Sequence, residues 1–319
     1  MNRLLMLMLS IVAIVVPISP VMGQQYPSKP IHLIIPFPPG LFSDVLGRLF
    51  ADQLSKQMGQ AVVVENRAGA SGNIGASAVA KAAPDGYTLL LNSLNYVINP
   101  AVMPMPFDSF KDLVPVAMIA EGAPAVLAVP TSSKYKTLQD LIDDAKAHPD
   151  EVSFYTPGPG SSTHLLADLF AREAKIKVLL VPFKDGGLAA LIGGQVSAGF
   201  TYTPSYLPQA EGGKLRGLVV ASARRSPVAP SIPTTAELGF STVDGNSFIG
   251  LMAPANTPTA VIERLNAAIA AILKDKGFVD RLAGMGMTPA QTTPEQFGRY
   301  MEQQVSKWAE VARATAEAK

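Results

Sequence analysis

Ile31-His32-Leu33-Ile34-Ile35-Pro36-Phe37-Pro38-Pro39-Gly40-Leu41-Phe42-Ser43-Asp44 is the stretch that decides the fold. Its first five residues form an almost unbroken apolar run, too short for a helix and too apolar for a strand with one wet face. Such a strand is buried on both sides, as in a parallel sheet covered by helices. Pro36 to Gly40 end it. Val45, Leu46, Leu49, Phe50 and Leu54 then fall on one face of a helix that stops at Gly59. Strand, turn and amphipathic helix in this order predict an α/β fold.

The same alternation continues outward. Ala61 to Val64 reads as a second strand, Gly72 to Lys81 as a helix of small residues, and Tyr87 to Leu91 as a third strand. A second unit restarts with a strand over Ala125 to Val129 and a helix capped by Thr137 with Asp140 three residues on. Val152 to Tyr155 then leads through Thr156-Pro157-Gly158-Pro159-Gly160-Ser161 into a helix carrying Leu165, Leu166, Leu169 and Phe170. Val178 to Val181, a helix over Leu188 to Ile192, and Leu215 to Ala221 complete it. Phe248 to Met252 is a further strand. Two C-terminal helices follow, one expected to start at Thr257-Pro258 and one at Thr293-Pro294-Glu295-Gln296. The expected organisation is a first lobe over residues 24–123, a second over 124–246, and a return to the first over 247–319. Two crossovers, near Ala123-Pro124 and Asn246-Ser247, would form a hinge.

Arg3, the apolar run Leu4 to Val16, and Val21 and Gly23 ahead of Gln24 have the layout of a cleaved signal peptide over residues 1–23. The run is shorter than the ~20 residues that span a bilayer. Export into an oxidising, periplasmic compartment follows, yet the chain has no cysteine, so disulfides and thiolate metal sites are excluded. Without Arg3 the acidic and basic residues are equal in number, and no basic block occurs. That balance argues against nucleic acid and against a polybasic membrane surface. After Gly23 no apolar stretch is long enough to be transmembrane, so the mature chain is expected outside the bilayer, as a monomer.

The inventory of reactive residues predicts neither catalysis nor a metal or other cofactor. His32, His148 and His164 are far apart and fit no metal-ligand spacing. Gly-x-Ser-x-Gly is missing. Gly69-x-x-Gly72-x-x-Gly75 lacks nucleotide-loop spacing and reads as close helix–sheet packing. Two strand-to-helix loops carry more. Phe37 to Asp44 and Gly158 to His164 each deliver the chain to a helix N-terminus, where unpaired N–H groups and partial positive charge favour a carboxylate. Two of them at matching places suggest a cleft gripping an anion from both sides.

At these residues the chain resembles the solute receptors of tripartite tricarboxylate transporters, the Bug or TctC-like family. The resemblance is carried by Tyr26-Pro27-x-Lys29-Pro30-Ile31, Pro39-Gly40-x-x-x-Asp44 and Val64-Glu65-Asn66-Arg67-x-Gly69-Ala70-x-Gly72-Asn73-Ile74-Gly75. Pro84-Asp85-Gly86-Tyr87-Thr88-Leu89, Gly158-x-Gly160 with His164, Val181-Pro182-Phe183-Lys184 and Gly193-Gly194-Gln195-Val196 continue it. Gly250-Leu251-x-Ala253-Pro254 and Lys307-Trp308 close it.

The resemblance implies a periplasmic binding protein fold of type II character, with two α/β lobes, an interlobe cleft and two hinge crossovers. It also implies a small carboxylate ligand and, as partners, a large and a small integral-membrane subunit; a signalling partner is the alternative. Carried over residue by residue, the ligand would meet Phe37, Gly40, Ser43, Asp44, Ser93 and Asn95 from the first lobe. From the second it would meet Gly160, Ser161, Ser162, Thr163 and His164. Asp44 reads first as a helix cap, His164 as a loop buttress, Glu65 and Arg67 as a structural ion pair, and Trp308 as core.

Three departures bear on the ligand. Leu41, followed by Phe42, stands where the family usually has glycine, so its side chain enters the cleft or packs into the lobe. Asp185 replaces a usual glycine and would repel an anion unless the ligand carries an amino or hydroxyl group. Thr201 is neutral where an acidic residue is common.

Overall fold

The computed structural model describes residues 26–317; the expected signal peptide and its cleavage point lie outside them. Strand β1 (Ile31–Ile35) is buried on both faces, with Ile31, Leu33, Ile34 and Ile35 inaccessible to solvent. Helix α1 (Phe42–Met58) follows and ends at Gly59 in the left-handed conformation. Next come β2 (Val62–Asn66), α2 (Asn73–Ala80), β3 (Thr88–Ser93) and α3 (Leu94–Val102). Strands β2 and β3 flank β1, both parallel to it, which is the covered parallel sheet the first apolar run predicted. Gly75 explains the glycine-rich turn: a Cβ there would come within 2.9 Å of Arg67 O and of Pro36 Cβ. Glycine therefore lets α2 lie against the strand ends, and no nucleotide loop is needed to account for it. Glu65 is paired with Arg67 (2.8 Å) and His32 (2.5 Å) at the margin of this sheet.

Strand β4 (Leu113–Pro130) is the axis of the molecule. It is followed by α4 (Leu138–Ala147), β5 (Ser153–Thr156), α5 (Ser162–Glu173), β6 (Leu179–Pro182), α6 (Leu188–Ile192), β7 (Gly199–Tyr202), α7 (Thr203–Glu211) and β8 (Leu215–Ala221). The chain then returns through β9 (Asn246–Pro254), α8 (Thr259–Ile272), α9 (Lys276–Gly284), β10 (Thr288–Pro289) and α10 (Pro294–Glu317). From Leu113 to Pro124, β4 pairs antiparallel with β9, which pairs in turn with β3. From Ala125 to Pro130 it pairs with β7 and β8. One strand thus pairs with both sets of neighbours, and Pro124 sits opposite Asn246.

Only Ala125 to Val129 of β4 was expected as strand. Pro115, Gly122 and Pro124 interrupt the earlier part, and the ladder there shifts register between Pro115 and Ala117, Met118 and Ala120, and Glu121 and Pro124. Bulges absorb what a regular ladder cannot, and they hide the strand from an alternation test. Elements α3, β7, α7, α9 and β10 were not foreseen. The start of α8 is also corrected. Pro258 occupies the N-cap position, and the Thr257 hydroxyl donates to the Pro254 carbonyl (2.8 Å) instead of capping the helix.

Each lobe has its own aromatic centre. Phe154, Phe170 and Phe200 are fully buried in the second, with the Phe170 and Phe200 rings edge to face at 6.0 Å. In the first, Phe248 meets Phe297 of α10, and Trp308 is 2% exposed. Fully burying one such side chain contributes about 1.5–3 kcal/mol, so α10 is anchored to the first lobe by packing.

Candidate ligand-binding cleft

Four helices begin at one place between the lobes. Their first turns line a cavity of about 50 Å³. Leu41, Phe42 and Ser43 come from the start of α1, Ser93 and Asn95 from α3, Ser162 and Thr163 from α5, and Tyr202 and Ser205 from α7. Phe37, Tyr155, Pro157, Phe200 and Thr201 complete the wall, which contains no charged side chain.

The cap residues of these helices are Leu41, Ser93, Ser161 and Tyr202, and none of them makes a side-chain capping bond. A helix start has N–H groups without intrahelical acceptors, and the aligned peptide dipoles add partial positive charge. Four such starts give the cavity a positive potential without a cation, and Ser43, Ser93, Ser162, Thr163, Thr201 and Ser205 add hydroxyls. This arrangement stabilises an anion bearing oxygen acceptors.

A polar network fixes the first wall. The buried Asp44 carboxylate accepts from Gly40 N (2.9 Å), Arg48 Nε (3.0 Å) and Asn66 Nδ2 (2.9 Å), and Asn66 Nδ2 also reaches Phe37 O (2.9 Å). Burial alone would raise the Asp44 pKa, but the bonds from Arg48, Gly40 and Asn66 hold it below the usual range. Asp44 is thereby spent on shaping the Phe37–Gly40 loop. In the second wall the Tyr202 hydroxyl donates to Ser162 Oγ (2.8 Å), and burial pushes its pKa up to about 12. Burial also raises Tyr155, whose hydroxyl donates to Phe200 O (2.9 Å). Both phenols stay neutral at physiological pH.

The two walls touch. Ser162 N donates to Asn95 Oδ1 (3.3 Å), Ser205 Oγ to Gly40 O (3.3 Å) and Ser71 Oγ to Pro159 O (2.8 Å). The Phe42 and Tyr202 rings lie 5.0 Å apart across the same boundary. Leu41 lies over Gly186: a Cβ at Gly186 would be 2.5 Å from Leu41 Cδ1, and Gly186 has φ +87°. The cleft is closed in this structure.

A family model described as the tripartite tricarboxylate transporter family receptor matches residues 46–316. The chain belongs to that family. Protein BugT of Bordetella pertussis is 39% identical over 99% of this chain and 98% of its own. Among solved structures, Rpa4515 of R. palustris with adipate is 33% identical, covering 91% of this chain and 98% of its own with a TM-score of 0.87. MatC of Rhodopseudomonas palustris with bound malate is 30% identical, covering 90% and 100%, with a TM-score of 0.85. The family is one of solute-binding receptors and not of enzymes. Among the described residues no group of three or more His, Asp or Glu could hold a metal ion, and no helix is long and apolar enough to cross a membrane.

Within this receptor the structure gathers nine of the expected site residues at the cavity: Phe37, Leu41, Phe42, Ser43, Ser93, Asn95, Ser162, Thr163 and Thr201. Six others stand off the wall. Gly40 serves the loop, its carbonyl accepting from Ser205 and its N–H going to Asp44. Gly160 presses against Val102, and Ser161 Oγ turns back to Gly158 O (2.8 Å). The His164 ring faces Thr156 Oγ1 (3.3 Å), a buttressing contact inside the second lobe. Asp185 is exposed and its carboxylate accepts Gly187 N (3.1 Å), so the side chain that looked repulsive is turned to its own backbone. Tyr155, Pro157, Phe200, Tyr202 and Ser205 were missed. Pro204, in the first turn of α7, was the available signal for two of them, Tyr202 and Ser205: proline in that position marks a helix start, and hence another anion-facing terminus.

Proposed function

We propose that this receptor captures a small carboxylate in the cleft between its lobes and presents it to a large and a small integral-membrane subunit of a tripartite transporter. The observation that carries the reading is the convergence of four uncapped helix starts on an uncharged, hydroxyl-lined cavity. The adipate and malate in the two relatives are carboxylates, which supports the same class here. The lobes divide at Ala123/Pro124 and Asn246/Ser247, residues 1–23 direct export to the periplasm, and the mature chain acts as a monomer. Ligand bridges walls that otherwise part about the two crossing strands.

A thermal-shift screen of carboxylic acids against the mature protein tests this. A ligand of the native state raises the melting temperature by mass action, and adipate, malate or a close analogue is expected to do so. Small-angle scattering should then give a smaller radius of gyration with the ligand than without it. A protein that no carboxylic acid stabilises at millimolar concentration would not be a carboxylate receptor.

A further inference from the structure

Behind the main cavity lies a second, smaller one of about 10 Å³, and the two share Phe37, Ser93 and Asn95 as a common wall. Its remaining lining includes Ser71, Asn73, Asn92, Asn99 and Tyr96. A chamber of that size admits one water-sized group.

Its polar atoms are unbalanced. Asn92 and Asn99 are 1% and 2% exposed, and the Oδ1 atom of each is buried without a hydrogen-bond partner. Asn99 cannot be turned to cure this. Its Nδ2 donates to Ser71 O (2.9 Å) and Asn73 Oδ1 (2.6 Å), and the reversed amide would set a carbonyl against the Ser71 carbonyl. Asn92 spends its Nδ2 on the sulfur of Met301 (3.2 Å), a weak acceptor. The nearby Tyr96 hydroxyl is donated to Ser109 O. Asn92 Oδ1 and Asn99 Oδ1 are therefore two buried acceptors left without a donor, a costly state that native interiors rarely leave unanswered.

We propose that this chamber is a hydroxyl-recognition subsite, taking one O–H donor between Asn92 Oδ1 and Asn99 Oδ1. The donor has two sources of the same chemistry: a hydroxyl on the ligand close to its carboxylate, or a captured water against which the ligand lies. A second carboxylate is excluded, because acceptors would face acceptors. The inference rests on the carboxylate reading above and narrows it to hydroxy acids if the first source holds.

The test pairs acids that differ by one hydroxyl, malate with succinate and lactate with propionate, by calorimetry on the wild type and on Asn92→Leu, which keeps the branching and removes the acceptor. If the ligand supplies the hydroxyl, the wild type prefers the hydroxy acid by about tenfold, and the preference falls to near unity in the variant. A crystal structure of the wild-type protein, with and without malate, keeps the question decidable if the variant fails to fold. A ligand hydroxyl in the chamber, or a water within hydrogen-bond distance of both Oδ1 atoms in both crystals, supports the subsite and names its source. An empty chamber with no preference between the paired acids overturns it. Failure of all four acids to bind counts against the carboxylate reading and leaves the crystal to decide the chamber on its own.

Discussion

Helix α4 and helix α5 begin in opposite ways, although both open an α/β segment of the same lobe. At α4 the chain supplies its own anion. Thr137 Oγ1 accepts from Asp140 N (3.2 Å), and the Asp140 carboxylate accepts from Lys136 N (2.8 Å) and Thr137 N (2.9 Å). Those bonds hold the Asp140 pKa below its ordinary value. Helix α9 does likewise through Asp275, which accepts from Phe278 N (2.8 Å), and α10 closes its start with the neutral Thr293–Gln296 pair. At α5 the cap residue Ser161 turns away to Gly158, and the first turn faces the cavity with hydroxyls but no carboxylate. Helices α3 and α7 share that open form at the same cavity, while α1 lacks a side-chain cap but holds Asp44 in its first turn, the carboxylate accepting from Gly40 N ahead of the helix. The peripheral helices spend their N-termini on stability; on the proposed function, the cleft helices leave theirs for an anion from outside.

Uncapped starts also occur at α2, α6 and α8, away from the main cavity, so a missing cap alone is not the signal. Convergence is. The most damaging change should therefore be a carboxylate planted at the cleft. Ser162→Asp supplies α5 with an internal anion and sets a like charge against the ligand, so affinity for the best acid found should fall by more than about 100-fold while the fold persists. Calorimetry with circular dichroism reads both. Next in size is Gly186→Ala. A methyl group in a left-handed backbone position, pressed on Leu41, should hold the walls apart and weaken binding by about tenfold. Combining it with Leu41→Gly should recover the steric part of that loss, leaving the backbone part.

How much of this was legible can be read from particular residues. The apolar run Ile31–Ile35 predicted a buried parallel strand, which is present, and the turn after it leads into the start of α1 at the cavity. Thr137 with Asp140, and Thr293 with Gln296, are local pairs whose chemistry lies within four residues, so they were readable as caps. Strand β4 was half hidden because its partners are remote and its prolines are absorbed in bulges. Tyr155 and Phe200 reach the cavity from strand ends that pack together only in the folded chain, and nothing local marks them. Asp185 is the converse case: its type suggested a role in the cleft, and in the structure its carboxylate accepts from Gly187 N of its own turn.

Smaller effects sharpen the contrast from the peripheral side. Thr137→Ala should cost about 1 kcal/mol of stability in denaturant unfolding and leave ligand affinity unchanged. Asp44→Asn should act on the pH profile. The folded pKa of Asp44 is depressed, so its contribution is fully present above the ordinary aspartate range near ~3.9 and is lost as pH falls through the depressed value. The variant should lose part of the acid-limb slope of stability against pH. An unchanged slope would mean that the network with Arg48, Gly40 and Asn66 does not hold the loop.

The central claim is that the open helix starts receive the ligand's carboxylate, and backbone amide NMR reads those groups one by one. On titration with the best-binding acid, the N–H resonances of Phe42, Ser43, Asn95 and Thr163 should move downfield as they gain a charged acceptor. Those of Asp140, Phe278 and Gln296, already capped by their own chain, should stay where they are. If a bound carboxylate left the cleft amides unmoved, or moved the two groups alike, the account would be wrong.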